Sequence, residues 1–283
     1  MKLGVLLAAH GAPERSEDVP EYLNRVRAGR PAAPAVIEEV TRRYRAIGGG
    51  SPLNRWTCAQ ALSLERTLGL PVVVGMRNWR PTLADALAQA QARGVERLAA
   101  ICMAPQYSAL SVGLYMRAAA QAGAGVQLNW ARSFHDQPKL IDAFAERLAP
   151  VAAGRRVIFT AHSLPARALA PDDPYDRECR ATAALVAARL GLADWDFAYQ
   201  SQGMTDDEWL GPTVESLLDG AAGEVAIAPI GFVCDHVEVL YDIDIHFREY
   251  GAARGVTVVR PESLNDSPAF TAALAEVAQQ CLA

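Results

Sequence analysis

Two histidines close apolar runs in matching settings. His10 follows Leu3–Ala8 (L-G-V-L-L-A) within A-H-G-A-P, and His162 follows Arg156–Thr160 (R-V-I-F-T) within A-H-S-L-P. A neutral imidazole can take a divalent metal or accept a proton near pH 7. A histidine ahead of a proline can also do no more than shape a turn, and for either residue alone the two roles weigh evenly. Their repeated placement favours chemistry.

A second candidate lies in Pro229–His246, P-I-G-F-V-C-D-H-V-E-V-L-Y-D-I-D-I-H. Written on a helix, Glu238, Asp242 and His246 fall four residues apart on one stripe, with Asp235 one turn earlier. Val239, Leu240, Ile243 and Phe247 make the opposite side, which suits burial. His236 falls on that apolar side and reads as structural. Charged stripes are ordinarily solvated faces, but this one begins directly after a buried-looking strand and loop, where a cleft would lie. One imidazole paired with one carboxylate binds a divalent cation weakly or removes protons, which suits transient handling better than storage.

These residues need elements to hold them. The first half carries apolar runs at Leu3–Ala8, Pro71–Gly75, Leu98–Met103 and Val126–Trp130. The second carries Arg156–Thr160, Phe197–Gln200, Val225–Ile230 and Val256–Val259. Between them lie helix-like stretches at Ala33–Ile47, Thr82–Arg93, Asp176–Leu190, Thr213–Leu218 and Asp235–Tyr250. Continuous apolar strands alternating with helices predict parallel sheets covered on both faces.

The halves also share S-x-x-D-x-P, as Ser133, Asp136, Pro138 and as Ser263, Asp266, Pro268, with each Asp at an expected helix N-cap. The expected fold is α/β, with two similar Rossmann-like halves of four parallel strands each and a cleft between them. The halves are residues 1–134 and 135–283, the terminal helix packing back on the first. The histidine motifs lie 152 residues apart and the S-x-x-D-x-P motifs 130, so the first half carries 22 extra residues. Glu14–Asn54, long and Arg-rich, is the expected site of that surplus and would rim the cleft, because doubly wound sheets bind ligands beyond their strands' carboxyl ends.

Composition excludes several classes. The 283 residues hold 27 Lys plus Arg against 32 Asp plus Glu, a net charge of −5, without a long basic run, which argues against nucleic-acid and anionic-membrane partners. No apolar run approaches the ~18–20 residues of a membrane span, and no secretory signal is expected. The five cysteines are scattered, with no C-x-x-C pair, so neither an iron–sulfur cluster nor a structural zinc is expected, and reduced thiols in a cytoplasmic chain are. Gly48–Gly50 follows a helix rather than a strand, and G-x-G-x-x-G, Walker A, H-E-x-x-H and a Ser–His–Asp signature are all missing. A nucleotide cofactor is disfavoured.

The Arg-rich insertion includes Arg15, Arg25, Arg27, Arg30, Arg42, Arg43 and Arg45. Most such residues are solvated surface; gathered beside a cleft, some could pair with an anionic ligand. Tyr44, Tyr107, Tyr115 and Trp209 could offer flat faces to a planar ligand, although core packing is the usual role.

The sequence resembles the ferrochelatases, which insert ferrous iron into a porphyrin. The resemblance rests on Arg43–Leu53 (R-Y-R-A-I-G-G-G-S-P-L), Ala104–Tyr115 (A-P-Q-Y-S-A-L-S-V-G-L-Y), Phe159–Pro165 (F-T-A-H-S-L-P), Asp173–Tyr175, Gln200–Gly203, Trp209–Pro212 and Gly231–Asp242 (G-F-V-C-D-H-V-E-V-L-Y-D). These are ordered along nearly the whole chain. The resemblance implies a chelatase-type fold with a porphyrin cleft. It makes His162 and Glu238 the metal-handling and proton-accepting pair, and makes Arg27, Arg43, Tyr44, Ser51 and Tyr115 porphyrin contacts. His10 stands where one branch of the family usually has a Tyr that approaches the product iron, and His is itself a competent ligand. His246 stands where a carboxylate is common.

The charged rim and the end of the chain at Ala283, without a cysteine-bearing tail, point within that resemblance to coproporphyrin III, with protoporphyrin IX the runner-up. Fe2+ is then a substrate, with no organic cofactor and no iron–sulfur cluster, and the partners are the porphyrin, Fe2+ and transient haem-pathway proteins. Distortion of the macrocycle in the cleft would expose its nitrogens. A non-catalytic haem or tetrapyrrole carrier is the alternative of a different class; it would not need His162 and Glu238 together. Cobalt or nickel insertion stays open, since ligand types alone do not select one first-row metal.

Overall fold

The computed structural model describes residues 1–123 and 125–283. The first half runs β1 (Leu3–Ala9), α1 (Val19–Val26), α2 (Pro34–Ala46), α3 (Leu53–Leu68), β2 (Val72–Met76), α4 (Leu83–Ala92), β3 (Arg97–Cys102), α5 (Val112–Ala122) and β4 (Gln127–Ala131). After α6 (Pro138–Ala152), the second half runs β5 (Arg156–His162), α7 (Tyr175–Leu190), β6 (Trp195–Gln200), α8 (Val214–Leu218) and β7 (Gly223–Ala228). It continues through α9 (Val237–Leu240), a π-helical segment (Asp242–Phe247), α10 (Arg248–Ala252), β8 (Val256–Val259) and α11 (Pro268–Leu282).

Among the described residues the strands form two four-stranded parallel sheets, in the order β2-β1-β3-β4 and β6-β5-β7-β8. The two orders are the same, so the halves repeat as the paired motifs implied. The central strands are apolar because helices cover both faces: Val5, Leu6, Leu7 and Ala8 are fully buried in β1, as are Val157, Ile158 and Phe159 in β5. The order also dictates where a ligand site belongs. The chain leaves β1 toward β2 on one side and returns to β3 on the other, opening a crevice at the carboxyl ends of β1 and β3. The same switch occurs at β5 and β7. His10 and His162 stand at the ends of β1 and β5.

Helices α1 and α2 are the surplus of the first half, lying between β1 and α3, whereas β5 and β6 are joined through α7 and one short 3-10 turn. Helix α11 packs on α6 and also on α3, β3 and β4 of the first half. One continuous apolar core thus runs from Val5 and Leu64 through Phe144 and Phe159 to Phe270 and Leu274. The expected Asp N-caps are corrected. Pro138 and Pro268 take the first helical position, so the caps are the residues just before them: Gln137 accepts from Leu140 N–H and Ser267 from Phe270 N–H. Among the described residues no helix is long and apolar enough to cross a membrane.

Candidate functional site

A cavity of about 280 Å³ lies between the halves at the strand ends. The first half lines it with His10, Tyr22, Tyr44, Ser51, Arg77 and Tyr115, the second with His162, Tyr175, Phe232, His236 and Glu238. Two glycines allow the walls to close up. Gly11 has φ +77°, and a Cβ there would stand 2.7 Å from Trp79 Cβ. A Cβ on Gly231 would stand 2.7 Å from Ala161 Cβ, where the loop after β7 crosses the end of β5.

The two repeat-related histidines begin alike. His10 Nδ1 lies 3.1 Å from Gly11 O, and His162 Nδ1 meets Ser163 O in the same way. A carbonyl only accepts, so in both rings Nδ1 carries the proton and Nε2 is left for other work. The Nε2 atoms then diverge. That of His10 is 3.0 Å from Asn78 Nδ2, while that of His162 is 3.5 Å from Glu238 Oε1. Burial, with the Arg77 guanidinium second, pushes His10 down to about 4, so it is neutral at pH 7. Burial would also lower His162, but the Glu238 charge, then hydrogen bonding to Glu238 and to Ser163 O, outweighs it and raises the ring to about 9.

Glu238 is the hub of the second wall. Its Oε2 lies 3.6 Å from His236 Nε2. Burial would raise the carboxyl; the facing imidazoles, His162 first, hold it well below the usual carboxylate range. Helix α9 begins only at Val237, and His236 before it is extended, with φ −161° and ψ −177°. The sequence reading wrote a continuous helix from Asp235. The extended backbone instead turns His236 to the same side as Glu238, where its Nδ1 donates to Cys234 O at 2.9 Å. Asp235 leaves the stripe altogether and is held by Ser263 (2.7 Å), Asn265 (3.0 Å) and Arg260 (3.2 Å).

Beyond Tyr241 the helix widens, with both Ile245 N–H (3.1 Å) and His246 N–H (2.9 Å) donating to Tyr241 O. The ordinary i+4 ladder is lost with it, although Asp242 and His246 still border one pocket. Gln200 holds the start of this segment, its Nε2 donating to Glu238 O at 2.7 Å while Thr160 donates to its Oε1 at 2.6 Å. Ser201, at φ +61°, donates to Asp242 Oδ2 at 2.5 Å. Burial nevertheless raises the Asp242 carboxyl to about 6. His246 turns away to pair with Glu215 at 3.0 Å.

Of the residues expected from sequence, His10, Tyr44, Ser51, Tyr115, His162 and Glu238 all line the cavity. Arg43 lies outside that wall. It borders a polar pocket of about 140 Å³ with Asp242 and His246, is held by Glu39 at 2.8 Å, and stands 3.8 Å from Asp242. Arg27 caps α1 at an exposed position, its Nε 3.3 Å from Arg30 O. Trp209 is remote, bridged to Pro165, and Tyr107 flanks the site beneath Arg132. The sequence reading missed Arg77, Asn78 and Tyr22. Pairing of Ala9 with Met76 accounts for the first two, because it brings the residues after β2 beside His10, a placement with no signal in the local sequence.

Two parallel α/β repeats, closing on a cavity with an imidazole from each strand end and a carboxylate from one, define the architecture of a metal chelatase. Comparison with known proteins agrees. A family profile described as Ferrochelatase matches residues 2–282. A ferrochelatase of Acidobacterium capsulatum is 46% identical, the match covering 99% of this chain and 95% of that protein. A coproporphyrin III ferrochelatase of Geobacillus sp. is 35% identical, covering 98% and 96%. Among solved structures, SirB of Bacillus subtilis with Fe3+ superposes with a TM-score of 0.63 at 12% identity, covering 100% of this chain and 96% of that one, a likeness of fold alone. The chain belongs to the ferrochelatase family: it is a porphyrin metal chelatase, a lyase of haem biosynthesis.

Proposed function

We propose that this chain inserts Fe2+ into coproporphyrin III. The distribution of free guanidinium groups carries the reading. Among the described residues Arg77 in the cavity wall makes no ion pair, nor do the exposed Arg27, Arg30 and Arg45 of the inserted α1–α2 segment, whereas Glu21 and Glu39 hold Arg25, Arg42, Arg43 and Arg80. A ligand with four propionates needs cations around its whole edge. Relatives named coproporphyrin III ferrochelatase, 32% to 35% identical, support it.

Insertion exchanges one Fe2+ for two pyrrole N–H protons, with no change in iron oxidation state, so the step calls for no electron carrier. At pH 7 the His162–Glu238 pair already holds one proton, on His162. An approaching dication repels that proton into solvent, leaving the imidazole free to receive metal or a pyrrole proton beside the Glu238 carboxylate. His236 turns its Nε2 to the other oxygen of the same carboxylate at 3.6 Å and helps to hold it charged. Tyr44, Ser51 and Tyr115 bound the macrocycle, Arg77 and the unpaired Arg27 meet its carboxylates, and His10 faces the product metal from the opposite wall, while Arg43 stays paired with Glu39 beside the neighbouring polar pocket.

Fe2+ insertion into coproporphyrin III and into protoporphyrin IX, with and without detergent, tests the assignment. A higher kcat/KM for coproporphyrin III is expected; equal kinetics in both buffers would sink it. The apolar lining residues Leu110, Leu164 and Phe232 favour protoporphyrin IX, and the same assay decides.

A further inference from the structure

We propose that Asn78 is a positioning residue that governs how tightly His10 holds the metal of the product, and hence how fast the product leaves. The inference rests on the reading that His10 faces that metal.

The argument starts from hydrogen bonding. Gly11 O lies 3.1 Å from His10 Nδ1, so a neutral ring must place its only N–H there. Nε2 then carries the lone pair. The group 3.0 Å from it must be a donor, which fixes the Asn78 amide with its nitrogen toward the ring. Asn78 is itself locked. It is 7% exposed, and its backbone N–H donates to His10 O at 2.9 Å. The β1–β2 register, ending at Ala9 opposite Met76, makes this double contact. Tyr22 OH, 3.3 Å from Nδ1, closes the other side of the ring.

A metal can take His10 only through Nε2, and must therefore displace the Asn78 hydrogen bond. Asn78 competes with iron for one lone pair. The equivalent place in the second half shows the contrast: His162 Nε2 faces the Glu238 carboxylate and keeps a proton. The same fold thus gives two imidazoles opposite tasks, according to whether a donor or an acceptor meets Nε2. By occupying the Nε2 lone pair at 3.0 Å, Asn78 keeps His10 a weak ligand, as an enzyme that must release an iron porphyrin requires.

The test uses ferric coproporphyrin III added to the whole chain, read by optical spectrum and by dissociation rate. Asn78→Ala removes the competitor while leaving the backbone contact, and should slow release about three- to tenfold with a more pronounced nitrogen-ligated spectrum. Asn78→Asp keeps the shape but presents a carboxylate, which draws a proton onto Nε2; release should quicken and the spectrum should approach that of His10→Ala. A merely structural Asn78 would move both variants in the same direction, and that result overturns the proposal. So does an Asn78→Ala spectrum identical to wild type when His10→Ala changes it. If His10→Ala itself leaves spectrum and release unchanged, the underlying reading of His10 falls, and the proposal with it.

Discussion

His162 and Glu238 meet at 3.5 Å, Nε2 to Oε1, although one ends β5 and the other opens the helix beyond β7. The order β6-β5-β7-β8 sets those two chain segments side by side, so the pair follows from topology before any side chain is considered. Its members hold each other charged. In the proposed mechanism the pair handles metal and relays protons, and replacing either member would break both. His162→Ala and Glu238→Gln should each lower the insertion rate by about 10²- to 10⁴-fold, with circular dichroism unchanged. Normal turnover in a folded variant would remove that residue from the mechanism.

The strands and most helices were legible because burial on both faces leaves continuous apolar runs, and the repeated A-H motifs marked the strand ends. The site was legible only where one segment carried its chemistry, as in F-T-A-H-S-L-P. Arg77 and Asn78 belong to the site through strand pairing, which no local pattern reports. His236 was misplaced because helical periodicity was extended two residues too far, over a position whose backbone is extended. The π-helical widening also escaped: D-I-D-I-H reads as ordinary helix, and its hydrogen-bond shift accompanies contacts with Gln200 and Ser201 on a distant strand end.

The charge pair makes stability depend on pH. His162 titrates near 6.5 when unfolded and at about 9 when folded, so between those values the folded chain binds the extra proton. Its contribution is complete below pH 6.5 and is lost as pH rises toward 9. Urea midpoints measured from pH 6 to 9 should therefore fall for the wild type. Glu238→Gln removes the charge that raises His162, and its midpoint should stay flat or rise across that window. Parallel curves for the two proteins would show that the pair is not coupled as the geometry requires.

Arg77 should discriminate between porphyrins. Its guanidinium stacks over Tyr115 at 5.3 Å, and its buried Nε has no hydrogen-bond partner among the described residues. A propionate entering the cavity would satisfy it. Arg77→Met keeps most of the packing and should raise KM for coproporphyrin III about ten- to a hundredfold, the scale of a lost charged hydrogen bond. Arg27→Ala, at an exposed rim position, should act in the same direction but more weakly. An equal rise for protoporphyrin IX in either variant would make the effect one of cavity shape rather than carboxylate recognition.

The last prediction concerns what keeps the cleft walls in register. Glu178 projects from α7 of the second half and accepts from Tyr107 N–H and Ser133 Oγ–H of the first, each at 2.7 Å. Tyr107 begins the loop that carries Leu110 and Ser111 to the cavity and leads into α5, which bears Tyr115. Glu178 is 8% exposed, so losing its carboxylate strands a buried N–H with no water to replace the acceptor. Glu178→Ala should cost about 1–3 kcal/mol in urea unfolding and raise KM for porphyrin through the displaced loop. Glu178→Gln, which can still accept from both groups, should recover most of that loss. The Arg155–Glu224 ion pair, at 2.7 Å and open to solvent, provides the control, and Glu224→Ala should cost under about 1 kcal/mol. If Glu178→Ala costs no more than Glu224→Ala, the halves are held by other contacts, such as the packing of α11 on α3, β3 and β4, and the carboxylate is incidental to the shape of the cleft.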